Sequence, residues 1–374
     1  MSAVQDLLAP TTEAELAAII ADRRRPLRII GGGTRVQLPP GDDMMIDRLT
    51  TTRLSGVVTY SPGEMTLIAR PGTPLPEIEA MLAAEGQALA FEPPDLRGVL
   101  GGHGAPTLGG MVAANASGPR RLMAGACRDH LLGVRFVDGR GRVIKNGGRV
   151  MKNVTGLDLS KLLAGSYGTL AVLTEIVLKT LPHLPARATL VFADMNRAQA
   201  VRLFSTALAT PFDVTGAAWR DGTAYLRIEG LEKQLIYRRD RLLALLAAHA
   251  PQVLDDAATT ALWRGLRDVT NFAGSDAPLW RILAKPTDAP AICTALHALG
   301  GATSLDWGGG LIWYAGPGSA AQVRALAPHA TLIRRAGLTG PAFPPQTGPL
   351  ARLQSGLRQT FDPAGLLNPG LMDA

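Results

Sequence analysis

Between Glu92 and Gly168 the chain gathers small residues at a density that few folds accommodate. The stretch opens Glu92-Pro93-Pro94-Asp95 and runs through His103-Gly104-Ala105-Pro106-Thr107-Leu108-Gly109-Gly110-Met111-Val112-Ala113-Ala114-Asn115-Ala116-Ser117-Gly118-Pro119-Arg120-Arg121. It closes on Gly165-Ser166-Tyr167-Gly168-Thr169-Leu170. Glycine loses more backbone freedom on folding than any other residue, so a folded chain keeps it where the backbone turns sharply or presses against something. An extended, phosphate-bearing cofactor is one such neighbour, because bare N–H groups can cradle its anion. A flexible linker is the alternative. Interleaved Leu108, Met111, Val112 and Ala113 argue against it, since linkers are polar.

A second glycine cluster precedes this one. Thr12-Glu13-Ala14-Glu15 reads as a capping box for a helix with Leu16, Ile19 and Ile20 on one face, ending near Arg23-Arg24-Arg25 and Pro26. Leu27–Ile30 then reads as a short buried strand that empties into Gly31-Gly32-Gly33-Thr34-Arg35, a turn whose successive N–H groups can point at an anion. The G-x-G-x-x-G dinucleotide spacing is missing, and Pro39-Pro40 stands where its helix would run. No Gly-Lys-Ser/Thr triplet makes a Walker loop. Taken alone, the triple glycine fits a simple tight turn as well as a phosphate site.

The rest of the chain divides at Pro182 and Pro185. Before them, Met65–Arg70 reads as a strand turned by Pro71-Gly72, and Leu75–Glu85 as a helix with Gly86 as its cap. Leu131–Val137 and Arg142–Lys145 form a hairpin about Asp138-Gly139, and Leu157–Leu163 a short helix. In the strand Thr169–Leu181, Leu170, Val172, Thr174, Ile176 and Leu178 alternate onto one face. Beyond the prolines a β-α-β-β-α-β order occurs twice, from Ala188 to Leu254 and from Leu279 to Arg335, joined by a helix over Thr260–Val269. Two ferredoxin-like units in tandem build one sheet-backed lid. Trp263, Trp280, Trp307 and Trp313 fall here, and core packing is the expected role for most of them. The turn-rich tail Phe361–Gly370 follows a helix over Leu350–Thr360 and is expected to dock on the first domain. The expectation is an α+β chain of three parts: residues 1–184, 185–345 and 346–374.

Composition narrows the classes. Of 374 residues 47% are hydrophobic and 18% charged, which fits a globular chain with room for two cores. Net charge is +7, supplied mostly by arginine, the residue suited to phosphate and carboxylate. No aromatic-basic interleaving marks a nucleic-acid surface. Cys127 and Cys293 are too few for a disulfide framework or a metal cluster. Neither a signal peptide nor an apolar run of about 18 residues is seen, so a cytoplasmic protein without direct membrane insertion is expected.

Gly31–Arg35, Thr107–Gly110 with Asn115–Gly118, Gly165–Leu170 and Asn368-Pro369-Gly370 resemble, in order and spacing, the PCMH-type (vanillyl-alcohol oxidase) FAD-binding family. Within it, the compact spacing and the Phe361–Gly370 tail are most similar to the FAD-binding E subunits of bacterial glycolate oxidases (glycolate dehydrogenases). Those work beside a larger flavoprotein subunit and an iron–sulfur subunit. The resemblance implies a two-subdomain FAD-binding domain, a ferredoxin-like cap and a tail returning to the FAD domain. It implies that Gly31, Gly32, Gly33, Thr34 and Arg35 face the FAD pyrophosphate, and that Pro94, Asp95, Thr107, Leu108, Gly109, Gly110 and Ala113 continue that wall. Asn115, Ser117, Gly118 and Ile176 would follow the adenosine half. Gly125 and Asp129 would sit in the turn after it, with Gly168 and Asn368 near the cofactor and Arg121 as countercharge.

Two departures matter. Covalent members carry a His after the triple glycine, where this chain has Thr34, so FAD is expected to be non-covalent. Hydroxy-acid dehydrogenases of the family use a His-rich metal and base cluster, whereas His249, His297 and His329 have no paired ligand spacing here. No metal is expected. His103 is the candidate for a flavin-proximal role and Arg281 for a carboxylate clamp, with local hydrogen bonding and a structural ion pair as their alternatives. The implied activity is oxidation of glycolate or a similar 2-hydroxy acid inside a complex, peripheral to the inner membrane if its partners are. A flavin relay or assembly subunit, and a stand-alone FAD-linked oxidase, remain the alternatives.

Overall fold

The computed structural model describes residues 7–37, 46–148 and 156–372, so Pro39-Pro40 lies outside the described residues. The first half holds two main sheets. Strands β1 (Leu7–Leu8), β3 (Asp47–Thr50) and β2 (Leu27–Ile30) pair in parallel in that order. An antiparallel sheet runs β4 (Val57–Ser61), β5 (Thr66–Ala69), β9 (Ala171–Lys179), β7 (Leu131–Asp138) and β8 (Val143–Gly147). Two short strands, β6 (Gln87–Ala88) and β10 (Leu181–Pro182), pair separately.

Helix Glu13–Asp22 joins the two main sheets: Leu16 and Ile20 share a core with Leu27 and Leu49 on one side and Val137 and Val172 on the other. Thr12 caps it, accepting the Glu15 N–H at 3.1 Å. The expected reciprocal box is shifted by one residue, because the Glu15 carboxylate accepts from Thr11 N, not Thr12 N.

The predicted single-face alternation along β9 is also corrected. Phe136 pairs with Leu173 and Arg135 with Glu175, so Thr174 bulges out of the ladder. An extra residue reverses the facing of everything beyond it. Val172 therefore enters the core beneath Leu16, while Ile176 and Leu178 join a second core with Leu67 and Phe136. The freed Thr174 hydroxyl donates to Glu13.

The second half is one eight-stranded antiparallel sheet. Its strands are β11 (Ala186–Phe192), β12 (Val214–Arg220), β13 (Thr223–Gly230) and β14 (Gln252–Leu254), then β15 (Leu279–Leu283), β16 (Ala302–Asp306), β17 (Leu311–Ala315) and β18 (Ala330–Arg334). The spatial order is β14-β11-β13-β12-β16-β17-β15-β18. Each unit has its strands in the order four-one-three-two, and the units meet through their second strands at Trp219 and Leu305. Helices Arg197–Leu208, Glu232–Leu245, Ala289–Ala298 and Ala320–Leu326 share the core on one face, around Phe204, Trp280 and Tyr314. The other face packs Leu311, Trp313 and Ile333 against Leu96, Val99 and Leu100 of the first half. Among the described residues no helix is long and apolar enough to cross a membrane.

Ion pairs and the C-terminal tail add to this apolar contact. Arg227 on β13 forks onto Glu92 at 2.8 and 2.9 Å, and Glu229 beside it lies 3.2 Å from Arg120. Burial would raise the Glu229 carboxyl, but Arg227 and Arg120 outweigh it and hold it below the usual range. The tail makes its contact after helix Gly348–Phe361. Asp362 accepts the N–H groups of Leu366 and Leu367, while Leu27 N donates to Leu366 O and Asn368 N to Leu27 O. The tail thus extends the sheet beside β2.

Removing one partner of a buried ion pair strands the other, so Arg227→Ala is expected to lose about 3–5 kcal/mol in denaturant unfolding. A loss below ~1 kcal/mol would show that the network does not hold the halves. Nearby Asp306, which N-caps Trp307, is pushed up to about 7 by burial, with Glu92 adding to the shift and Trp307 N–H and Arg227 opposing it. Its folded pKa exceeds its unfolded value near 3.8, so the folded state binds the extra proton and stability falls as pH rises from about 4 to 7. Asp306→Asn should therefore melt higher than the parent at pH 8, with the difference vanishing near pH 4. An equal difference at both pH values would be the contrary result.

Candidate functional site

Strand β2 ends where the glycines begin, and two of the glycine stretches meet there backbone to backbone. A Cβ on Gly32 would stand 1.7 Å from the Ala105 carbonyl oxygen, and one on Gly104 would stand 2.0 Å from the Gly32 oxygen. Gly31 sits against the Thr107 hydroxyl in the same way, at 2.5 Å. Only glycine allows this approach. Thr107 then caps the short helix Leu108–Ala113, accepting Gly110 N–H at 3.3 Å, and Gly109 N donates to Pro71 O at 2.7 Å.

The stacked loops wall a cavity of about 850 Å³, towards the upper end of the roughly 300–1,000 Å³ usual for cofactor and ligand sites. Its floor is Gly31–Gln37, one side is Thr107, Gly109, Gly110 and Ala113, and the other is Ser166–Gly168 with Ala171–Leu173. Asn368 stitches floor to side: its Oδ1 accepts Ile29 N at 2.8 Å and its Nδ2 donates to Tyr167 O at 2.8 Å. Arg334, Arg335, Ala336 and Gly337 close the cavity from the second half.

Its electrostatics are cationic. Arg35 is 9% exposed; its Nη1 donates to Pro94 O, and its Nε and Nη2 have no hydrogen-bond partner among the described residues. Burial depresses its pKa, yet a guanidinium does not give up its proton in a protein, so the site favours an anion. Arg334 and Arg335 each bring one further unpartnered Nη2. A glycine turn, a buried guanidinium behind it and an apolar wall of Ala171, Val172 and Leu173 suit a ligand that carries an anionic group.

The sequence candidates divide. Gly31, Gly32, Gly33, Thr34, Arg35, Thr107, Gly109, Gly110, Ala113, Gly168 and Asn368 line the cavity. The others lie outside that lining. Leu108 and Ile176 are core residues. Pro94 holds Arg35, and Asp95 forks onto Arg97. Asn115 and Ser117 accept the N–H groups of Arg128 and Cys127, bracing the turn that contains Gly125 and Asp129. Gly118 O receives the Trp307 indole N–H, and Arg121 lies 4.5 Å from the Trp307 ring centroid. Arg281 lies over that same ring at 5.2 Å. His103 is exposed on the loop before Gly104.

His297 is bonded to Gly301 O and His249 packs edge-on to Phe192. Among the described residues no three His, Cys, Asp or Glu side chains converge to hold a metal. Sequence reasoning missed Ile29, Ser166, Tyr167, Arg334 and Arg335. Tyr167 and Ser166 stand inside a quoted motif and were within reach; the arginine pair carries no local signal that it faces a turn some 300 positions earlier.

Comparison with known proteins agrees with this geometry. A family model described as an FAD binding domain matches residues 5–147. Glycolate oxidase subunit GlcE of Escherichia coli (strain K12) is 37% identical over 324 residues, 85% of this chain and 85% of that one. The chain belongs to the PCMH-type FAD-binding family. Its cofactor is FAD, and it is an oxidoreductase.

Family members further away include glycolate oxidase subunit GlcD of Bacillus subtilis (strain 168), 27% identical over 61% of this chain and 47% of that one. The D-lactate dehydrogenase of Archaeoglobus fulgidus is 30% identical over 47% of this chain and 38% of that one. The fold is shared with p-cresol methylhydroxylase, at a TM-score of 0.70, 11% identity and coverage of 98% and 88% of the two chains. It is shared too with alkyldihydroxyacetonephosphate synthase, at 0.69, 16% identity, 97% and 75%.

The backbone contact at Gly32 yields a sharp test. Any side chain there must push away the Ala105 carbonyl, so Gly32→Val should abolish FAD retention on purification. The unfolding of the second half, with its own core, should be little changed. Normal flavin content in that variant would refute the placement of the pyrophosphate.

Proposed function

We propose that this chain is the FAD-binding subunit of a multi-subunit glycolate dehydrogenase (glycolate oxidase), acting on glycolate or a similar 2-hydroxy acid. Its likeness to the Escherichia coli subunit over most of both lengths carries this reading. FAD, when bound, supplies the two-electron acceptor for the substrate C–H bond. The chain's own residues supply the rest. Gly31–Gly33 N–H groups and Arg35 would hold the diphosphate, Thr107 and Gly109–Gly110 its other side, and Asn368 would fix the strand and loop between which the cofactor lies. The cap sheet would exclude water above it. Electrons would leave to a larger flavoprotein and an iron–sulfur subunit, in a cytoplasmic complex that meets the membrane, if at all, through those partners.

The cofactor is held non-covalently in this reading. Thr34 lines the cavity where covalent relatives need a histidine, and it offers no ring nitrogen to a flavin. Cys127 is buried outside the lining, its thiol pushed up to about 12 by desolvation, and is a poor nucleophile. A second reading, a flavin relay or assembly subunit with the larger subunit oxidising the acid, is favoured by the histidines: His103 is exposed and His297 is engaged with Gly301.

Acid precipitation of the purified chain should release all its yellow flavin to the supernatant; colour retained in the pellet would mean a covalent link. Anaerobic mixing with glycolate should bleach the flavin of the isolated chain. Bleaching that needs the partner subunits would instead assign the oxidation to them.

A further inference from the structure

Among the described residues Tyr167 is the one aromatic side chain in the cavity lining, and its backbone is strained. Its φ is +51°, a left-handed conformation that a bulky residue rarely adopts. Gly165 and Gly168 on either side, at +93° and +70°, are the residue type such a conformation favours. A strained residue persists only where its surroundings over-determine it. Here Tyr167 N donates to Ala113 O at 2.9 Å, and Tyr167 O accepts Asn368 Nδ2 at 2.8 Å. Phe343, from the segment between β18 and helix Gly348–Phe361, meets the phenol ring edge-on, with centroids 4.7 Å apart. Three separate parts of the chain therefore fix this one ring.

The hydroxyl at its end is not engaged. Other polar side chains of the lining bond the main chain: Ser166 Oγ donates to Leu163 O at 2.8 Å and Gln37 Nε2 to Leu100 O at 3.3 Å. Asn368 is bonded at both ends. Tyr167 Oη has no hydrogen-bond partner among the described residues. Tyr60 also lacks one, but its hydroxyl is sealed in the interior, whereas Tyr167 is half-buried and lines the cavity. Burial raises the phenol pKa, and the guanidinium groups of Arg281 in the cap and Arg35 at the glycine turn oppose that rise without overcoming it. The phenol stays protonated at neutral pH, a neutral donor near two cations.

The diphosphate has its cradle in Gly31–Gly33 and Arg35 on the floor, whereas Tyr167 stands on a side wall. An aromatic ring with a free O–H suits a planar ring system that carries carbonyl acceptors. We propose that Tyr167 donates a hydrogen bond to the isoalloxazine ring of bound FAD and thereby favours its reduced state. Reduction adds electron density to that ring, so a fixed donor with guanidinium groups nearby stabilises the reduced form more than the oxidised one. The assignment rests on the placement of FAD in this cavity, which Gly32→Val tests separately, and not on the identity of the substrate.

Reductive titration of the FAD-loaded full chain against a reference dye reads this role without substrate. Tyr167→Phe keeps the ring and removes only the hydroxyl. It should hold FAD within about twofold of the parent, yet its reduction should be about tenfold less favourable, ~30 mV lower for two electrons. Its visible flavin band should shift as well. Phe343→Leu, which loosens the ring but keeps the hydroxyl, should move the potential in the same direction by less.

An unchanged potential in Tyr167→Phe overturns the assignment. Weakened FAD binding with an unshifted potential would put the hydroxyl on the diphosphate and also overturn it. Crystals of the FAD-loaded parent need no variant: Tyr167 Oη within about 3.2 Å of a ring oxygen or nitrogen supports the role. Oη on a diphosphate oxygen, or on no FAD atom, refutes it. Should glycolate fail to bleach the flavin while the potential still depends on the hydroxyl, Tyr167 keeps this role and only the turnover reading falls.

Discussion

Gly32 and Gly104 touch through their main chains, and the first half of this protein is arranged to let them do so. The contact brings the end of β2 against the loop before Thr107 with no side chain between them. The first-half wall of the cavity is built around it. Thr107 and its short helix are set at a fixed distance from the triple glycine, Pro71 supports Gly109 from behind, and Asn368 closes the remaining gap. Glycine's entropic cost, roughly 0.5–1 kcal/mol each relative to alanine, is offset only where such an approach is needed.

The second dependency is electrostatic and joins the halves. The ion pairs of Glu92, Arg120, Arg227 and Glu229 are largely withdrawn from water, so each charge is tolerable only with its partners in place. This sets the cap sheet over the glycine loops in one register. Because Gln37 N donates to Ile333 O and Arg335 N to the Gln37 side chain, the strand that carries Arg334 and Arg335 is fastened to the exit of the glycine turn. Cofactor wall and cap are one continuous hydrogen-bonded structure at that point.

Much of this was legible in the chain. The two β-α-β-β-α-β units show in sequence because each element is set by local periodicity, and the observed strands differ from the expected ones by a residue or two. Short strands β1, β3, β4 and β6 escaped notice. The alternation along β9 misled, because the bulge at Thr174, whose hydroxyl bonds Glu13 of a distant helix, leaves no mark in the apolar period of β9 itself. Asn115, Ser117 and Asp129 are grouped with the cofactor by their position in a motif, and their side chains here accept the N–H groups of Arg128, Cys127 and Ala126.

By itself the sequence determined where the backbone must be bare and where the longer helices and strands run, which made main-chain N–H groups the expected cradle for an anion-bearing cofactor. Those properties are local, fixed by glycine's missing Cβ and by the periods of helix and strand. Tertiary structure alone decided which charges stay unpaired. Arg97 and Arg334 are the same residue type, yet one forks onto Asp95 while the other is caged by main-chain carbonyls, with one buried nitrogen left without a partner among the described residues. Pairing depends on neighbours brought from hundreds of residues away, and no local pattern encodes them.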